Sequence, residues 1–179
     1  MTDAEKPYFI RALPPYSPQI GALVQMMAYA RLTTLQAVEE ISQAELDTVP
    51  TGFSNSVGML LAHIVAVDRL YQIASFQGIN PYAGDEFVPY LGAMTFGARG
   101  PKVEGRTLTE LLTDLESTRA VTLHEFSQRD DAWLDSIMGA WPHFQPNHHW
   151  AWFHVMEDEV SHRGQIRVIR KAIQRAAQC

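Results

Sequence analysis

Apolar residues return every three or four positions from Ile20 through Leu23, Val24, Met27, Ala30 and Leu35 to Val38. That period predicts an amphipathic helix, opened by Ser17 and Pro18 and closing near Ser42. A second stripe, Val57, Leu60, Leu61, Ile64, Val67 and Tyr71, predicts a helix capped by one of Ser54, Asn55 or Ser56 and running to about Gln77. His63 lies on its edge with Met59, Val67 and Leu70, at or near the core. Thr107 and Glu110 form a capping box ahead of Leu108, Leu111, Leu112, Leu115, Thr118, Thr122 and Phe126, the buried face of a third helix. Asn147 caps a fourth, from His148 to about Ala176, with no proline inside it.

Between these helices the pattern breaks down. Residues 1 to 16, with Pro7, Pro14 and Pro15, read as an extended lead-in. Residues 78 to 106 hold six of the eleven glycines and three of the ten prolines, together with Tyr82, Phe87, Tyr90 and Phe96, which predicts a packed crossover or a lid over a site. Residues 129 to 147 are expected to be irregular. Four helices with no alternating β-branched run imply an all-α bundle, and 179 residues suit a single domain.

Composition narrows the function classes. With 14 Lys and Arg against 20 Asp and Glu the chain is acidic, which disfavours a phosphate-backbone partner. The cluster Arg163, Arg167, Arg170, Lys171 and Arg175 is expected to be exposed. The single cysteine, Cys179, has no internal partner and suits a reducing compartment. With no basic and apolar leader at the N-terminus and no run of about 18 uninterrupted apolar residues, a cytoplasmic protein without a membrane partner is expected.

The candidate chemistry lies on the fourth helix. Asp158, His162, Ile166, Ile169 and Ile173 follow at spacings of four, four, three and four, so they share one stripe whose isoleucines face the core. A carboxylate and an imidazole turned into a core need partners, and a divalent cation satisfies both. His63 of the second helix is the candidate third ligand. Two histidines and one carboxylate leave coordination positions open, as a catalytic metal requires. Taken singly, the pair also fits a solvated surface contact, and His63 a core histidine bonded to a carbonyl. His154 is an alternative ligand or supporting partner, and Glu157 and Glu159 are expected to carry surface charge. His124, His143, His148 and His149 are expected in solvated or capping positions, and Trp133, Trp141, Trp150 and Trp152 in ordinary core or at a pocket mouth.

The segment SNSVGMLLAHIVAVDRLY from Ser54 to Tyr71, with EDEVSHRGQIRVIRK from Glu157 to Lys171, closely resembles the DinB-like superfamily. Its most specific piece is the His-Arg-Gly-Gln run at His162 to Gln165, about a hundred residues after a helical histidine. The resemblance implies an up-up-down-down four-helix bundle with a long crossover between the second and third helices, often a homodimer. It also implies a zinc or nickel ion held by three histidines, of which His63 matches the first and His162 the last. The middle ligand is usually a histidine; here that position is Asp158, which changes the donor set while keeping a competent oxygen ligand. Several relatives are similar to transferases that use a low-molecular-weight thiol such as bacillithiol or mycothiol. The expected function is therefore metal-dependent thiol S-transfer to a small electrophile. A metal-dependent hydrolase and a non-catalytic, stress-associated binding or dimerisation protein are the alternatives. The absence of an HExxH arrangement weighs against a zinc peptidase.

Overall fold

A computed structural model describes residues 8–95 and 103–178, and within them the chain is all-helical, with no strand. Cys179, residues 1 to 7 of the lead-in, and residues 96 to 102 of the crossover with Phe96 lie outside the described residues. The helices are α1 (Pro18–Ala37), α2 (Gln43–Asp47), α3 (Val57–Tyr71, continued by a π-helical turn at Gln72–Gln77), α4 (Leu108–Ser127), α5 (Asp131–Asp135) and α6 (His148–Ala176). Helix α1 packs on α6, and α3 packs on both α4 and α6.

Several expected boundaries shift. The first helix ends at Ala37 rather than near Ser42; Ser42 instead opens α2 through a capping box with Glu45. The irregular stretch after α4 contains α5, capped by Asp130. Ser17 does not cap α1 with its side chain: Asp131, from α5, accepts from the Gln19 and Ile20 amides at 3.0 and 3.3 Å and from the Ser17 hydroxyl. A carboxylate at this helix end meets both the orphan amides and the positive end of the dipole. The lead-in closes on the same helix, where Gly21 approaches so tightly that an added Cβ would lie 2.4 Å from the Leu13 nitrogen. Ser56, Thr107 and Asn147 cap α3, α4 and α6.

Val57–Gln77 is long and apolar enough by composition to cross a membrane, yet it is mostly buried in the interior of the protein. That burial explains its composition without a bilayer. The crossover contains short 3-10 turns at Pro81–Ala83 and Val88–Met94; the second packs on this helix, and Phe87 is fully buried.

The interior is not all hydrocarbon. Along α6 the buried positions Trp152, Val155, Glu159, His162, Ile166 and Ile169 follow at alternating spacings of three and four, so Glu159 is a core residue and not a surface charge. Its carboxylate binds Arg31 of α1 (2.7 Å) and Arg119 of α4 (3.0 Å), and Arg119 also binds Asp68 of α3 at 2.9 Å. Thr122 donates to Asp68 and Gln72 donates to Thr122, which extends the network to the π turn. Burial opposes the Arg119 charge, but Asp68 and Glu159 more than offset it and hold the guanidinium above its ordinary range. Arg163 and Arg170 also depart from expectation: both are half-buried, and Arg170 donates to the carbonyls of Ala37, the last residue of α1, and of Glu39 just beyond it.

His148, expected in a solvated or capping position, is buried. It stacks on Trp133, and its Nδ1 accepts from the Ser75 hydroxyl at 2.8 Å while Trp152 donates to the same oxygen. Burial first, and the Arg129 charge second, push this imidazole down to about 4. In the unfolded chain it takes a proton near pH 6.5, so the unfolded state gains a proton the folded state refuses until about pH 4. This contribution to stability is complete above pH 6.5 and is lost as pH falls through that window, by about 2 kcal/mol. Urea midpoints measured between pH 7 and 4.5 should therefore fall more steeply for the parent than for His148→Phe; parallel slopes would contradict the assignment.

Candidate metal centre

His63 enters from the middle of α3, and Asp158 and His162 lie one turn apart on α6, so the packing of these two helices brings the three side chains together. One ligand atom from each lies within 4.8 Å of the others. The Asp158 Oδ1 atom is 3.5 Å from His63 Nε2 and 3.3 Å from His162 Nε2. The two imidazole rings meet edge to face, with centroids 4.7 Å apart. Both histidines are buried, and Asp158 is half-buried between them and a cavity.

The far side of each ring determines what the near side offers. His63 Nδ1 is 2.8 Å from the Ala93 carbonyl, which only accepts, so Nδ1 carries the proton and donates. His162 Nδ1 donates to Gln165 Oε1 at 3.3 Å. With both Nδ1 positions protonated, the neutral tautomers turn the Nε2 lone pairs toward the carboxylate. Three electron-rich atoms converging on one point repel one another unless a proton or a cation lies between them. Asp158 Oδ2 is also buried without a hydrogen-bond partner. This orphaned oxygen beside two oriented imidazoles fits a borderline divalent cation.

Where no cation lies between them, protons take its place: burial alone would push the Asp158 carboxyl upward, yet hydrogen bonds from the His162 and His63 rings in their protonated form, with the charges these then carry, hold it down to about 2. Burial alone would push the His162 imidazole down, yet Asp158 and Gln165 leave it raised above its ordinary range. Tyr71, one wall of the neighbouring cavity, is pushed up to about 12 by burial, the Asp158 charge and Tyr82, so its hydroxyl stays protonated at neutral pH.

The cluster opens on a cavity of about 630 Å³ lined in part by His63, Asp158, Tyr71, Tyr82, Trp141 and His154. One wall is a loop closed at its base by an antiparallel bridge between Ile137 and Asn147, with Met138 donating to the Pro146 carbonyl at 2.8 Å. That bridge is why an irregular segment presents Trp141, His143 and Phe144 to the cavity. His154 stays in the wall: its Nδ1 pairs with Glu157 at 3.1 Å, and its ring lies flat on Trp150. It does not join the His63, Asp158 and His162 group. Of the four tryptophans, Trp152 is fully buried core, Trp141 lines the cavity and Trp150 stands partly exposed at 39%. Trp141 is thus one of the tryptophans expected in core or at a pocket mouth, whereas the sequence pattern missed His143, since no periodicity marks a residue that a loop alone positions.

A protein-family model described as Mycothiol-S-transferase matches residues 22–175 of the chain. No curated protein matches it.

Proposed function

The chain belongs to the mycothiol-S-transferase family, within the DinB-like superfamily, and on that premise we propose that it is a metal-dependent thiol S-transferase acting on small electrophiles. The observation that carries this reading is the convergence of His63 Nε2, His162 Nε2 and Asp158 Oδ1 at the cavity floor, with each Nδ1 already committed elsewhere. His63, Asp158 and His162 would hold the ion, zinc or nickel as the family resemblance implies, and the two borderline imidazole donors suit either. Bound there, a divalent cation supplies Lewis acidity that draws the proton from a thiol near neutral pH.

The chain's own residues do the rest. Ala93 and Gln165 fix ring orientation and tautomer, so the two donors point inward before anything binds. Asp158 supplies one negative charge, which leaves the loaded centre net positive and favourable to a thiolate. The aromatic walls exclude water from the reacting pair and orient the electrophile. Four long helices, the packing of α1 and α3 on α6 and of α3 on α4, and the long α3-to-α4 connection support a single up-up-down-down bundle as the scaffold.

Incubating the zinc- or nickel-loaded protein with an alkyl halide, with and without a low-molecular-weight thiol, tests the reading. In the expected reaction sulfur bonds to carbon as halide leaves with the bonding pair, and the thiol proton goes to solvent. Turnover is expected to require the thiol. Turnover of an ester or amide without any thiol would place the protein among metal-dependent hydrolases instead.

A further inference from the structure

Five aromatic side chains close a ring beside the metal-ligand cluster. Tyr71 meets Trp141 edge to face at 5.9 Å, and Trp141 leans on Phe144 at 6.2 Å. Phe144 meets Trp150 edge to face at 5.1 Å, Trp150 lies flat on His154 at 5.1 Å and 8°, and His154 returns to Tyr71 at 5.7 Å. Three separate segments supply these rings: α3, the bridged loop and α6. Burial does not account for the arrangement, since Phe144 remains 47% and Trp150 39% exposed. Aromatic surface held open at a cavity mouth by mutual edge and stacking contacts gives a rigid wall with π faces and edges to offer. A volume of about 630 Å³ accommodates a fused ring system and a thiol together.

We propose that this cavity selects a flat, apolar aromatic electrophile, packed against Trp141 and Tyr71 with its reactive carbon toward His63 and Asp158. This rests on the thiol-transfer reading and names the class of its second substrate. For an arylmethyl halide, the new carbon–sulfur bond forms as the carbon–halogen bond breaks, the halide keeps the bonding pair, and the thiol proton passes to solvent. His63 and Asp158 share the lining with the apolar surface of Tyr71, Trp141, Phe144 and Leu70, so the wall discriminates by shape and flatness.

The test is calorimetric titration of the metal-loaded protein, without thiol, using two unreactive probes: 2-naphthylmethanol and its fully saturated decahydro counterpart. The planar probe is expected to bind at least about tenfold tighter. Trp141→Leu should bring the ratio near one, and Trp141→Phe should restore part of it; metal content and far-UV circular dichroism confirm that each variant is folded and loaded. Equal binding of the two probes by the parent, or a ratio unchanged in Trp141→Leu, would overturn the proposal. Ring preference with turnover that needs no thiol would sink the transfer reading alone, whereas thiol-dependent turnover without ring preference would sink this inference alone.

Discussion

Replacing His162 by alanine is expected to lower affinity for zinc or nickel by more than about 100-fold, because the change removes a proposed ligand outright and even the loss of a residue that only orients a ligand costs 10–100-fold. The variant keeps His63 and Asp158, whose Nε2 and Oδ1 atoms are 3.5 Å apart, but two donors hold a tetrahedral ion poorly. Two companion variants sharpen the result. Gln165→Ala leaves all three proposed ligands and deletes the acceptor at His162 Nδ1, so affinity should fall less, by roughly 10-fold. Asp158→His should bind zinc or nickel at least as well as the parent, since imidazole is the better donor to a borderline metal. Competition titration against a chromophoric chelator reads all three, and parent-like affinity in His162→Ala would remove His162 from the centre.

The second large effect concerns stability. Arg119→Met deletes the cation that Asp68 and Glu159 share, leaving two buried carboxylates with Arg31 alone to balance them. Breaking a buried ion pair by removing one partner costs about 3–5 kcal/mol, because the remaining charge has lost both water and its counterion. For a domain of this size the melting temperature should fall by roughly 10 °C. Removing charge in matched pairs behaves differently: Asp68→Leu combined with Arg119→Leu leaves the Arg31 to Glu159 contact in place and should recover a large part of the loss. Urea unfolding at pH 7 measures both. A single Arg119→Met variant within about 0.5 kcal/mol of the parent would mean that the network is solvated and not buried.

How much of this was legible follows from where each residue's partners lie. The caps at Thr107 and Asn147 act within one turn, so their sequence signatures sufficed. Asp158 and His162 were legible because a helix places positions four apart on one side. Glu159 was misjudged as a surface charge, although the run Val155, Glu159, His162, Ile166 carries the alternating spacing of a buried stripe and was the available signal. A charge there reads as exposed until Arg31 and Arg119, 128 and 40 residues away, are known to meet it. Ser17 looked like a cap for the same local reason, but Asp131, 114 residues on, takes most of that role.

From the sequence alone come the all-helical class, the last two long helices to within a residue or two, and the three side chains most suited to a cation, because helical period and capping are local properties of neighbouring residues. Tertiary structure decided that His63 meets the α6 pair, that Ala93 and Gln165 aim the rings, that a buried ion network crosses four helices, and that a bridged loop turns Trp141 into a cavity. Each of these depends on contacts between segments far apart in the chain, and no local periodicity encodes how two such surfaces face each other in three dimensions.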